Sequence, residues 1–273
     1  MSDPRSKIVR IADSELHYLE EGAGATVVLV HGGFGDYRLW TGLSRSLSKR
    51  FRVISYSRRG SYPNKAPSRG HARVGTHSAD LASVITQLSN EPVHLVGESY
   101  GAYVALYFAI HNQELVRTIA LDEPPIVSVL GSGGEDRRDS EALQRVLTAF
   151  LEAHARGDAD AARSIVDFLE GPPGAYDSLP NEVKEVIRAN AAATFADLNG
   201  GLGGVVRDEV RSMRRPALLM KSEKGPRVLK RIVDILADDM PDSRLQEIRG
   251  ASHGTIIESA EYVDSVLRFL TLD

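Results

Sequence analysis

Short apolar runs alternate with segments of helical spacing along most of this sequence, and the alternation sets the class of fold. The runs at 27–30, 52–56, 93–96, 116–121, 216–220 and 244–248 are rich in Val, Ile and Leu and too short for helices. Apolar residues recur at three- and four-residue intervals in 39–47, 78–88, 102–110, 227–236 and 261–270. Residues 8–12 and 15–19 alternate apolar and polar side chains, which predicts a hairpin at the sheet edge. Together these patterns predict an α/β fold with a mostly parallel sheet covered by helices on both faces.

One long segment, residues 126–212, departs from this rhythm. It has no strand pattern, and helices are expected near 140–154, 158–169 and 180–198. An all-helical insert of this length between two strands favours a cap over a linker. We therefore predict a core formed by 1–125 and 213–273 and an inserted cap, 126–212. The aromatic residues expected to face the cleft beneath the cap are Phe150, Phe168, Tyr176 or Phe195.

The composition excludes several classes of function. The 273 residues include no cysteine, which excludes a disulfide scaffold, a thiolate nucleophile, a Cys-ligated zinc site and an iron–sulfur cluster. With 33 basic and 37 acidic residues the net charge is −4, so nothing indicates a nucleic-acid or membrane partner. The polar residues 1–10 lack the apolar stretch of a secretory signal. We expect a soluble cytoplasmic protein, monomeric or homodimeric, whose partner is a small-molecule substrate.

Ser99 is the candidate nucleophile. The run 93–96 leads directly into Gly97-Glu98-Ser99-Tyr100-Gly101, and a helical pattern begins at once. In such a strand–turn–helix elbow the serine occupies a strained turn, so small residues are needed on both sides of it. The positive end of the following helix favours a developing oxyanion.

An oxyanion hole needs backbone N–H donors from two places. One donor is expected from Tyr100, the residue after the nucleophile. The other is expected from the loop His31-Gly32-Gly33-Phe34-Gly35, where three glycines let the backbone turn its amides toward a substrate. Gly33 is the first choice for this donor and Phe34 the second.

A serine hydroxyl needs a base to accept its proton, and histidine is the usual one. Of eight histidines, only His253 lies in a flexible loop directly after the final strand, at the same end of the sheet as Ser99. His253 is therefore the candidate base. His71 and His77 remain a weaker alternative as a metal-binding pair.

The order of these motifs resembles the α/β-hydrolase fold over essentially the whole chain. A His-Gly loop, a nucleophile elbow, a helical insert and a late loop histidine follow one another as in that family. The resemblance implies an eight-stranded, mostly parallel sheet. It also assigns Ser99, His253 and the backbone of Gly33 and Tyr100 to the family's nucleophile, base and oxyanion positions.

The sequence departs from the family at the acid of the catalytic triad. Most members carry an Asp after the strand that corresponds to 216–220, and here that position is Gly225. A Ser-His-Glu subset, which includes fungal-type zearalenone lactone hydrolases, supplies the acid one strand earlier, where this chain reads Asp122-Glu123-Pro124. We predict Glu123 as the acid, with Asp122 and Glu223 as alternatives, because the following proline stiffens the loop that presents it.

These residues predict a serine hydrolase that cleaves a carboxylic ester or lactone of a small organic molecule through an acyl-enzyme. Neither a cofactor nor a metal is needed. The same fold also supports C–C bond hydrolysis, lyase chemistry and cofactor-free oxygenation. A ligand-binding receptor with little turnover is the alternative from another class.

Overall fold

The computed structural model describes residues 3–65, 73–171 and 173–272. Eight strands form one sheet in the order β1-β2-β4-β3-β5-β6-β7-β8. Their bounds are β1 Lys7–Ile11, β2 Ser14–Glu21, β3 Thr26–Val30, β4 Arg52–Tyr56, β5 Val93–Glu98, β6 Val116–Asp122, β7 Ala217–Ser222 and β8 Ser243–Ile248. β2 pairs antiparallel with both of its neighbours, and all other pairs are parallel. The predicted mostly parallel sheet and its edge hairpin are confirmed.

Ten α-helices accompany the sheet in the described part of the chain. They are α1 Thr41–Leu47, α2 Val74–Leu88, α3 Tyr100–His111, α4 Gly134–Ala155, α5 Arg163–Glu170, α6 Ala175–Ser178, α7 Asn181–Asn199, α8 Arg207–Arg211, α9 Arg227–Asp239 and α10 Ala260–Leu270. None of the described helices is long and apolar enough to cross a membrane.

Apolar clusters lie on both faces of the sheet, as a buried parallel sheet requires. Successive residues of β3 point to opposite sides: Val28 and Val30 join the cluster that includes α2, α3 and α9. Val27 and Leu29 join the cluster that includes α1 and α10. Because alternate side chains of a strand point to opposite faces, one run of apolar residues contributes to the apolar cluster on each face of the sheet.

The five helices α4–α8 all fall between β6 and β7, within the predicted insert. Two of them, the short α6 and α8, were not predicted from the sequence. The expected helix at 158–169 begins only at Arg163, because the Asp158 carboxylate accepts the N–H of Asp160 at 2.8 Å. Such a local side-chain bond competes with helical hydrogen bonding.

Candidate active site

Ser99 lies at a sharp turn between β5 and α3. Its backbone has φ 51° and ψ −122°, in a region that non-glycine residues rarely adopt. The turn also requires close packing, since a Cβ at Gly101 would lie 2.0 Å from the Val30 carbonyl oxygen. The Ser99 N–H donates to the Asp122 carbonyl at 2.9 Å, which ties the turn to the end of β6. This strand–turn–helix geometry matches the one predicted for a nucleophile elbow.

His253 lies in the histidine loop, residues 250–254, directly after β8. Its Nδ1 is 2.6 Å from Glu123 Oε2, and both side chains are buried. Glu123 Oε1 in turn accepts the Ser222 N–H at 2.9 Å and the Ser222 hydroxyl at 2.7 Å. Burial alone would raise the pKa of Glu123, but the bonds from His253 and Ser222 hold it below its usual value. The carboxylate is therefore charged and fixed against the imidazole.

The other two carboxylates considered for this position lie elsewhere. Glu223 is exposed and accepts the N–H of Gly250 at 2.6 Å. Asp122 is fully buried, and its carboxylate lies near the hydroxyl of Tyr262. Burial raises the pKa of Asp122 well above its usual value, and the charge of Glu98 acts in the same direction.

Gly225 explains why the acid comes from a different loop. A Cβ added there would lie 2.2 Å from Ser222 Oγ and 2.8 Å from Glu123 Oε1. The Glu123 carboxylate thus fills the space that a side chain at position 225 would need. Most of the family that the sequence resembles carries the acid after β7, and here the Glu123 carboxylate reaches that place from the end of β6.

Two amides of the oxyanion loop, residues 31–35, are bound by side chains. The Gly32 N–H donates to Glu98 Oε2 at 2.8 Å, and the Phe34 N–H donates to Thr194 Oγ1 at 2.7 Å. The Gly33 N–H, by contrast, has no protein acceptor among the described residues. The engaged amide of Phe34 disfavours the second choice of donor. Tyr100 begins α3, where N–H groups lack an intrahelical acceptor.

A buried ion pair, Arg58–Asp197, contacts the oxyanion loop. Arg58 donates to the carbonyl oxygens of His31 and Gly32 at 2.8 and 3.0 Å. Its guanidinium also binds Asp197 of α7 at 2.8 Å, and His77 Nε2 lies 2.7 Å from the same carboxylate. Sequence reasoning missed both Arg58 and Asp197, which resemble surface charges and lie 139 residues apart.

The structure does not place His77 in a metal site. Its partner is Asp197, while His71 lies outside the described residues. No cluster of three metal-ligating side chains occurs within 3–65, 73–171 and 173–272.

Glu98 is a second carboxylate beside the base, and the sequence did not indicate a role for it. Its Oε1 lies 3.7 Å from His253 Nε2, on the side of the ring that must receive the proton of Ser99. No hydrogen bond joins Ser99 Oγ to that nitrogen in the described structure, and such bonds often form only with substrate. Burial lowers the pKa of His253, but Glu123, Glu98 and Asp122 together raise it to about 9.

A cavity of about 520 Å³ opens onto Ser99, His253, Gly33 and Tyr100. Its wall is mostly apolar, and much of it comes from the insert, including residues of α4, α5 and α7. The charged side chains in the wall, apart from His253, are all carboxylates: Asp36, Glu98, Glu170, Asp197 and Glu258. No lysine or arginine of the described chain lines it.

The expectation for the aromatic residues holds only for Phe168, which lines the cavity. For the other three it was wrong. Phe150 is fully buried and packs edge-to-face on Phe34 at 5.3 Å, and Tyr176 is buried among apolar residues of the insert. Phe195 packs against His154. These three side chains pack against neighbouring side chains in the interior, so they do not reach the cavity.

Several curated relatives align with the chain, among them two hydrolases. An uncharacterised hydrolase, YraK of Bacillus subtilis, is 32% identical over 123 residues, which cover 45% of this chain and 45% of that protein. The chain therefore spans about half the length of that relative. A putative carbamate hydrolase, RutD of Azorhizobium caulinodans, is 24% identical over 248 residues, covering 88% of this chain and 89% of the relative.

A solved structure and a family model also match the chain. A thermophilic esterase from Thermogutta terrifontis superposes with a TM-score of 0.76 at 23% identity, covering 97% of this chain and 98% of that one. At this identity the likeness shows the fold alone. The family model for the alpha/beta hydrolase fold matches residues 25–260, from β3 to the start of α10. The chain therefore belongs to the α/β-hydrolase family.

Proposed function

We propose that this enzyme is a serine hydrolase that cleaves an uncharged carboxylic ester or lactone through an acyl-enzyme. One observation carries the proposal: Ser99 of the elbow and His253, whose Nδ1 is 2.6 Å from Glu123 Oε2, line one apolar cavity. A serine, a base and a carboxylate that orients the base are the parts that acyl transfer requires.

In this proposal His253 takes the proton of Ser99 as the hydroxyl oxygen attacks the substrate carbonyl. The Gly33 and Tyr100 N–H groups bind the oxyanion that forms. His253 then gives its proton to the leaving alcohol, which yields an acyl-enzyme on Ser99. A water that loses a proton to His253 attacks this ester. His253 then returns the proton to Ser99 Oγ as the acyl–oxygen bond breaks, which releases the acid product and regenerates the serine.

Glu123 assists the same steps by binding the other nitrogen of the His253 ring, Nδ1. Its 2.6 Å bond to Nδ1 holds the imidazole with Nε2 available to Ser99. Its negative charge stabilises the imidazolium that each proton transfer creates. Because Glu123 is itself fixed by Ser222, little reorganisation is needed during the reaction.

The cavity wall supports an uncharged, apolar substrate. Asp36 and Asp197 are paired with Arg38 and Arg58, but no arginine or lysine pairs with Glu98 or Glu170 in the described structure. A substrate carboxylate would therefore meet negative charge with no lysine or arginine among the described wall residues to bind it, an arrangement that costs several kcal/mol in specificity. The apolar residues of the insert instead favour an aliphatic or aromatic group.

We further propose that the insert acts as a cap on the active site. Helices α4, α5 and α7 supply apolar wall residues such as Leu147, Phe168 and Ile187. A cap that excludes water strengthens the electrostatic interactions of the oxyanion hole and lowers the chance of side reactions. The substrate that fits would then be decided by the insert, since the catalytic residues are common to the fold.

The experiment is pre-steady-state hydrolysis of p-nitrophenyl esters of increasing chain length, with a lactone and a carbamate in the same panel. We expect a burst of p-nitrophenol that equals the enzyme concentration, since an acyl-enzyme accumulates. Ser99→Ala should abolish the burst. A steady rate without a burst that survives Ser99→Ala would contradict the proposal, and turnover restricted to the carbamate would change the substrate class.

A further inference from the structure

We infer that the helical insert positions both catalytic loops through two side chains. Thr194 of α7 contacts the oxyanion loop, and Glu170 of α5 contacts the histidine loop. The inference rests on the proposed function, because it concerns the placement of the oxyanion donor and of the base. Both residues would be positioning residues that act through their neighbours. Each contact crosses from the insert to the core.

Thr194 of α7 is hydrogen-bonded to the oxyanion loop. Its Oγ1 accepts the Phe34 N–H at 2.7 Å, and its Cγ2 would lie 3.2 Å from a Cβ at Gly33. Phe34 has φ 56°, a conformation that a residue with a side chain keeps only when its surroundings impose it. Thr194 thus fixes the peptide next to the Gly33 N–H.

Glu170 holds the histidine loop. It is the last residue of α5, and its carboxylate accepts both the Ser252 hydroxyl and the Gly254 N–H, the latter at 2.8 Å. These two partners flank His253 on either side. A Cβ at Gly254 would lie 2.3 Å from Glu170 Oε1, so glycine permits this close approach. Glu123 therefore fixes the ring of His253, and Glu170 fixes its backbone.

The insert is anchored firmly enough to serve this purpose. Three polar residues of α7 share one face at helical spacing, and all three contact the core. Asn190 donates to Asp36 at 2.9 Å and accepts the Tyr62 N–H at 2.8 Å. Asp197 binds Arg58, which holds the carbonyl groups of the oxyanion loop. Thr194 lies between these two anchors.

A merely structural role would give a different result from a positioning role. A structural contact lowers stability without changing the rate of the folded enzyme. A misplaced oxyanion donor lowers kcat and leaves KM near its original value, since the ground-state carbonyl depends little on that donor. The conservative variant that keeps the hydrogen bond should restore the rate.

The first matched pair is Thr194→Val, which keeps the shape and loses the acceptor, and Thr194→Ser, which keeps the acceptor. The main measurement is the rate at which a fluorophosphonate labels Ser99, because it needs the nucleophile, base and oxyanion donors but no known substrate. We expect roughly a tenfold loss for Thr194→Val, below the ~100-fold or more for deleting an oxyanion donor, and under about threefold for Thr194→Ser.

The second pair is Glu170→Leu, which loses both contacts, and Glu170→Gln, whose amide oxygen still accepts the Gly254 N–H. We expect Glu170→Leu to lower the labelling rate about tenfold and Glu170→Gln to change it little, as displacing a catalytic group by about 1 Å can cost up to ~100-fold. The acid limb of the pH profile should stay in place in both, since Glu123, Glu98 and Asp122 raise the pKa of His253.

Amide hydrogen exchange at Phe34 and Gly254 supplies a measurement independent of chemistry. Faster exchange in the Val and Leu variants only, with slower labelling, supports the inference. Equal labelling rates within each pair, in variants that melt as the wild type does, overturn it while the proposed function stands. If the wild-type enzyme neither labels nor hydrolyses any ester, the proposed function fails, and exchange that is equal within each pair then overturns the contacts as well.

Discussion

The loops after β6 and β7 approach the same point from neighbouring strands, yet only one of them delivers a carboxylate. The loop after β6 presents Glu123 to His253 at 2.6 Å. The loop after β7 contributes Gly225 and the two donors of Ser222. The comparison teaches that the position of the acid is defined in space by the histidine and not by the strand of origin. The longer glutamate side chain after β6 occupies the place that an aspartate after β7 occupies in most of the family.

The largest expected effect comes from neutralising the acid. Glu123→Gln keeps the shape but cannot stabilise the imidazolium, and loss of a triad acid costs up to ~10⁴ in kcat. We expect a loss of at least about a hundredfold in kcat, measured on the best ester of the panel.

Two isosteric controls test the assignment of that effect. Glu223→Gln changes the exposed carboxylate after β7, and Asp122→Asn changes the neighbour of Glu123; both should stay within about threefold of wild type. If Glu223→Gln is the crippled variant and Glu123→Gln is not, the comparison of the two loops is wrong.

The second prediction moves the acid from one loop to the other. In a Glu123→Ala/Ser222→Ala background the space around position 225 is emptied, because the atoms that a Cβ would meet belong to those two side chains. Adding Gly225→Asp should then raise kcat about tenfold over the background, a fraction of the ~10⁴ that a well-placed acid supplies.

The same Gly225→Asp change in the wild-type chain is the control. Two carboxylates would occupy one place, and like charges so close cannot both stay ionised. We expect this single variant to lose activity and stability, measured by kcat and the melting temperature. No gain from Gly225→Asp in the emptied background would show that the β7 loop cannot present an acid.

The third prediction concerns the pH dependence of kcat/KM. The base must be neutral, so the rate should rise with pH through the pKa of His253, which is raised to about 9. Glu98→Gln removes one of the charges that raise this pKa and keeps an acceptor for the Gly32 N–H. The acid limb should therefore move to lower pH in Glu98→Gln and stay in place in Glu258→Gln. If the acid limb of the kcat/KM profile does not move in Glu98→Gln, Glu98 carries no charge next to the base.

The smallest expected effect concerns Asp122 and the stability of the fold. Because the pKa of Asp122 is raised in the folded protein, its contribution to stability is complete below its unfolded pKa and is lost as pH rises through the folded one. Asp122→Asn carries no charge at any pH. We expect it to raise the melting temperature at pH 8 by roughly 2–4 °C, about 1 kcal/mol.

The gain should shrink toward zero near pH 3.5, where the carboxyl group is protonated in both states. Thermal unfolding followed at both pH values checks this sign. A gain that grows as the pH falls would contradict the raised pKa of Asp122.

The features that sequence reasoning found depend on neighbours close in the chain. The strands follow from continuous apolar runs, and the elbow follows from the glycines that its strained turn requires. Glu123 was chosen because the usual position holds a glycine and because Pro124 stiffens its loop. Its closeness to His253 was expected because both residues follow strands of one parallel sheet and lie at the same end of it.

The features that sequence reasoning missed depend on contacts between distant residues. Thr194 lies 160 residues from Phe34, and Glu170 lies 84 from Gly254. On a helix such residues resemble an ordinary polar face turned to solvent. Arg58 belongs to a short basic run that resembles a surface loop, although its side chain is only 1% exposed.

The buried Arg58 has a consequence for how the protein folds. Its charge is compensated by Asp197, which reaches it only when the insert has docked on the core. Loss of the Asp197 carboxylate from the docked insert would leave the guanidinium buried and unpaired, and breaking a buried pair in this way costs about 3–5 kcal/mol. The penalty couples the two parts of the chain thermodynamically. Insert and core should therefore melt together in a single cooperative transition, and the isolated core should be a poor autonomous folding unit.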